Sequence, residues 1–142
     1  MRVECYDLQA QMFTHVDADT GVNTVFAATD LRRYCDHNRL PFSLVPVTKR
    51  DAKMILKHRG IEDYRLKRIW ESQNWQPLLF AHMPDGTDLL IDGSHTYVAR
   101  AMRGHKWVLA YVVPQEIWTY YTIEGFPQTT EQELLDSWSG VR

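Results

Sequence analysis

Five consecutive residues carry most of the chemistry this chain offers. Asp92-Gly93-Ser94-His95-Thr96 follows the apolar run Leu89-Leu90-Ile91 and precedes Tyr97, Val98, Ala101 and Met102, which recur on one helical face. The order is strand, glycine turn, helix start. A helix start leaves backbone N–H groups without intrahelical acceptors and carries the positive end of the dipole, so it cradles anions. Gly93 allows close approach of a ligand to the backbone. The Ser94 and Thr96 hydroxyls can donate to phosphate oxygens, and His95 can donate, carry charge or move a proton. Asp92, at the strand end, is the best carboxylate for holding magnesium or acting as a general base. A plainer reading fits the same residues: Asp-Gly is a common turn pair, Asp92 can bond the turn backbone, and Ser94 is an ordinary helix cap.

A cradle for phosphate also needs cations. The stretch from Lys49 to Arg68 holds Lys49, Arg50, Lys53, Lys57, Arg59, Arg65, Lys67 and Arg68 against Asp51, Glu62 and Asp63. Lys49, Arg50 and Lys53 are the candidates for phosphate binding; the same stretch also fits nucleic-acid contact or a solvated helix face. Glu62 and Asp63 are weaker candidates for a second carboxylate. Other motifs carry less. Asp17 to Gly21 opens like a calcium loop, but the closing Glu position is Ala28, so a turn between strands is expected. Cys5 and Cys35 lack metal-ligand spacing and read as two reduced thiols. The sequence has no nucleophilic triad, Walker loop or HExxH motif.

The elements that must position the turn follow from periodicity and punctuation. Strands are expected at Arg2 to Leu8, Val22 to Ala27, Pro41 to Val47, Pro77 to Met83, Asp88 to Ile91 and Lys106 to Val113. Helices are expected from Thr29 or Asp30 to His37, and from Lys49 to His58 behind a Thr48 cap with Met54, Ile55 and Lys57 inward. Three more are expected at Glu62 to Ser72, Ser94 to Arg103, and Thr129 or Thr130 to Trp138. Gly125 to Gln128 reads as a linker, and the five Trp as packing residues. The 142 residues fit one domain, with a core at about 40–114, an N-terminal elaboration at 1–40 and a C-terminal helical extension at 115–142. Hydrophobic residues at 44% support a packed core rather than disorder, and a net charge of -2 demands no polyanionic partner. No apolar run approaches bilayer length and the first residues have no signal-peptide core, so a cytoplasmic protein with no membrane partner is expected.

Several pieces agree in order and spacing with one superfamily. Gln76-Pro77-Leu78-Leu79-Phe80, then Leu90-Ile91-Asp92-Gly93-Ser94-His95-Thr96-Tyr97-Val98-Ala99, then Gly104 and Val108 to Val113, resemble the ParB/sulfiredoxin superfamily over roughly a quarter of the chain. The resemblance implies a compact α/β (α+β) domain with a small mixed sheet and flanking helices. It also implies that the Gly93 turn binds nucleotide phosphates: ParB proteins use it for CTP, sulfiredoxins for ATP, and a free-serine kinase for phosphoryl transfer. Two positions depart from the pattern. Ser94 stands where sulfiredoxins have their catalytic Cys, which removes that chemistry. Thr96 stands where both patterns have Arg, which removes a bidentate phosphate fork. His95 matches the sulfiredoxin His.

The expected function is nucleotide or phosphate binding at Asp92 to Thr96, with phosphoryl transfer or nucleotide hydrolysis open; in that case magnesium would accompany the nucleotide. The expected partner is a nucleotide or other phosphorylated small molecule. The alternatives are a nucleic-acid-binding or nuclease module using Lys49 to Arg68, and a non-catalytic module that binds a protein partner.

Overall fold

A computed structural model describes residues 12–17, 19–71 and 76–124. The expected strand at 2–8, the linker at 125–128 and the helix at 129–138 lie outside these residues.

The described chain is α+β and carries two sheets rather than one. In the first, β1 (Phe13–Val16) and β2 (Asn23–Phe26) form an antiparallel hairpin, and β7 (Thr122–Glu124) pairs with the far side of β2. The hairpin loop is held by Asp17, whose carboxylate accepts the backbone N–H groups of Asp19 and Thr20 at 2.8 and 2.9 Å. Those bonds pull its pKa below the usual carboxylate range. The loop is therefore a self-satisfied turn, in keeping with the failed calcium motif.

The second sheet has the order β3 (Ser43–Pro46), β6 (Trp107–Val113), β4 (Leu78–His82), β5 (Asp88–Asp92). It is mixed: β4 runs parallel to β6, and the other neighbours are antiparallel. Strand β4 is apolar from Leu78 to Ala81 because both of its faces are covered there. Leu79 and Ala81 join Phe26, Leu31, Ile91, Val113 and Trp118 on one side. Leu78 and Phe80 join Leu90, Tyr97, Val108 and Ala110 on the other.

Helices α1 (Ala28–His37), α2 (Lys49–His58), α3 (Asp63–Glu71) and α4 (Ser94–Met102) flank the sheets, and short α5 (Gln115–Trp118) runs into a helical turn at Thr119–Tyr121. The stretch from residue 115 is therefore not a plain helical extension: its first part returns a strand to the N-terminal sheet. Three residues are too few for a period-2 signal, so only the pairing with Thr24–Phe26 makes β7 a strand. The face of α2 also differs from expectation. Met54 is half exposed and Lys57 exposed, while Ala52, Ile55 and Arg59 turn inward. No helix among the described residues is long and apolar enough to cross a membrane.

Candidate anion cleft at the start of helix α4

The glycine turn forms because β5 must reverse into α4 within one residue. Gly93 adopts φ 106°, in the left-handed region, and is the N-cap position of α4. A Cβ there would sit 2.4 Å from the Leu78 Cδ2 atom, in the floor of the core. Glycine is thus required by backbone angle and by packing against β4, not only by access for a ligand.

The turn opens into a cleft of about 640 Å³. Gly93, Ser94, His95 and Thr96 form one wall, Arg59 and Arg65 another, and Phe13 of the first sheet closes a third. No side chain caps α4, and its first turn holds no acidic residue. The first main-chain bond of the helix is Tyr97 N–H to the Gly93 carbonyl at 2.9 Å. The N–H groups of residues 94 to 96 thus have no acceptor within the helix.

Arg59 brings a cation to the wall of this cleft. Helix α2 ends at His58, and Arg59 leaves it in an extended conformation, φ −124° and ψ 148°. Its Nη1 donates to the Ser94 hydroxyl at 2.9 Å, and its guanidinium lies 4.6 Å from the centre of the Phe13 ring. Among the described residues no carboxylate forms an ion pair with it. Burial lowers its pKa, yet a guanidinium stays charged across the physiological range. A charged group held this way retains several donors for an anion in the cleft. Arg65, the second cation, forms an ion pair with Glu62 at 4.0 Å on the surface.

The other candidates fall into two groups. Ser94, His95, Thr96, Asp92 and Gly93 all line the cleft. Lys49, Arg50 and Lys53 do not: they are exposed on α2 and line none of it. Asp92 is engaged by a residue that the sequence reading did not single out. Arg32 of α1 donates from Nε to its carboxylate at 2.9 Å, and from Nη1 to the Pro77 carbonyl at 2.6 Å. Among the described residues no cluster of three His, Cys, Asp or Glu could hold a metal. Asp92 thus has one carboxylate oxygen committed to Arg32.

His95 is 8% exposed, and its Nε2 accepts the backbone N–H of Glu62 at 3.0 Å. The ring is therefore neutral with its proton on Nδ1. Desolvation first, then the Arg65 charge, holds its pKa below the usual histidine value. Its lone pair faces a donor rather than the cleft.

Sequence reasoning missed Arg59 and Arg32 as individuals, although a signal existed for both. Ala52, Ile55 and Arg59 share an i, i+3, i+7 stripe, and Arg32 lies beside Ala28, Leu31 and Cys35 on the buried side of α1. A cation on an apolar stripe has to be paired or used. No protein-family model matches the chain, and no characterised protein matches it in sequence.

Proposed function

We propose that the protein binds a small phosphorylated ligand, such as a nucleotide, in the cleft at Gly93 to Thr96. The observation that carries this reading is Arg59: a half-buried guanidinium with no carboxylate partner among the described residues, fixed on Ser94 at an uncapped helix start. Helix N–H groups and a preorganised guanidinium are the two donor types that anion recognition uses most. The resemblance to the ParB/sulfiredoxin superfamily supports the same reading, with Arg59 replacing in space the cation missing at Thr96.

Binding is better supported than phosphoryl transfer. The two side chains proposed to handle protons are both engaged, Asp92 by Arg32 and His95 by the Glu62 amide. Calorimetry with pyrophosphate and a nucleotide panel, with and without magnesium, tests the reading. Wild-type protein binds at least one of these, and Arg59→Ala loses it. Binding that survives Arg59→Ala unchanged, or no binding by any of them, overturns it.

A second reading rests on a different observation. Lys49, Arg50, Lys53 and Lys57 are exposed on α2, and among the described residues none forms an ion pair. That favours contact with a nucleic-acid backbone. Retention on DNA or RNA that falls steeply with salt supports it; a flat salt response argues against it.

A further inference from the structure

We infer that His95 is a positioning residue for the anion cleft, a proton-released latch that holds the Arg59–Glu62 linker, and with it Arg59, in binding position. The inference rests on the anion-site reading above and concerns how that site is assembled.

The geometry is specific. Residues 59 to 62 join α2 to α3 and carry the cleft's principal cation. One end of this linker is held by the Arg59 guanidinium on Ser94, the other by the Glu62 N–H on His95 Nε2. Both anchors are on the first turn of α4. A helix start that supplies anion donors therefore also fixes the segment that brings the cation. His95 contributes only while neutral, because an imidazolium has two N–H donors and no acceptor. On protonation its Nε2–H faces the Glu62 N–H head-on, donor against donor. The linker must then move away and take Arg59 with it.

The surroundings determine which way protonation acts. Arg65, on α3, opposes an added positive charge on the ring, and Arg59 of the linker lines the same cleft. Glu62 favours it, but at the exposed surface. Asp92, the other nearby carboxylate, is held by Arg32. His58, at the end of α2, is exposed beside Arg59 on a neighbouring groove. The latch thus predicts a sign opposite to that of any histidine acting directly as an anion ligand. Anion affinity falls with pH if His95 is a latch, and rises if it or His58 touches the anion.

The probe is sulfate, which stays doubly charged where phosphate itself titrates. Its affinity is measured by calorimetry from about pH 8 downward, through the His95 midpoint that NMR of the ring gives. The expected result is weaker binding at the lower pH, approaching tenfold per unit below the ring's own midpoint. His95→Gln keeps an acceptor that does not titrate, so the pH dependence of its sulfate affinity should be lost. NMR of the wild-type protein adds a readout that needs no ligand and no variant. The Glu62 amide and the Arg59 Nε resonances should titrate with the His95 ring midpoint. Sulfate affinity that is flat or rises as pH falls overturns the latch, as do Glu62 and Arg59 resonances that ignore the ring. Failure of sulfate to bind at pH 8 overturns the anion-site reading instead, while the NMR titration still decides the latch.

Discussion

Two helix starts in this protein solve the same problem in opposite ways. At α2, the Thr48 hydroxyl accepts the Asp51 N–H at 3.1 Å, and Asp51 places a carboxylate in the first turn. That helix end is satisfied by its own sequence. At α4, the N-cap is a left-handed glycine, no side chain caps the helix and no acid sits in the first turn. The neighbouring Arg59 adds positive charge where a cap would have added a lone pair. The difference separates a helix start closed by its own side chains from one whose N–H groups no side chain caps. The nominally more basic helix, α2, has the closed start, so a count of charges along the chain does not show which helix start is open.

The comparison can be broken at several points. Gly93→Ala should have the largest effect, since it combines a left-handed φ with a Cβ inside the contact distance of Leu78. A loss of about 3 kcal/mol in unfolding free energy is expected from urea denaturation, with anion binding weakened as the turn shifts. Arg59→Ala should cost about 2 kcal/mol of anion affinity, roughly 30-fold, with Arg59→Lys recovering part of it. Thr48→Ala should act on stability alone: about 1 kcal/mol lost in thermal or urea melts, with sulfate affinity unchanged. If it weakens binding as much as Arg59→Ala, the two helix starts are not independent.

Smaller effects sharpen the contrast. The pKa of His95 is lowered in the fold, so the unfolded chain takes up its proton first. The stability that depends on neutral His95 is complete above the ordinary histidine pKa of about 6.5 and is lost as pH falls through the folded value. Melting temperature against pH should show that decline in wild type, and a shallower one in His95→Gln. Least of all, Lys49→Ala and Lys53→Ala should leave sulfate affinity within experimental error, because neither side chain lines the cleft. A measurable loss would return the α2 face to the anion site.

Much of the fold was legible before the structure. The Thr48 cap and the span of α2 follow from local chemistry, as do the glycine turn into α4 and strands β4, β5 and β6, because caps, turn residues and apolar runs act over a few positions. The division into two sheets was not legible, since it depends on Thr122–Glu124 pairing with Thr24–Phe26 across nearly a hundred residues. Nor was the inward face of α2: its large apolar residue Met54 is turned to solvent, and small Ala52 is the buried one.

The sequence alone determined that Asp92 to Thr96 would present a helix start with no arginine in these five positions, since residue identity and a one-residue glycine turn are local properties. Tertiary structure decided which groups complete it. It brought Arg59 to Ser94, Arg32 to Asp92 and the Glu62 amide to His95, each across more than 30 positions of chain. Those partners were selected by the packing of α1, α2 and α3 around the second sheet. A buried charge or lone pair must find a partner, but its type does not specify which of the molecule's donors or acceptors the fold will supply.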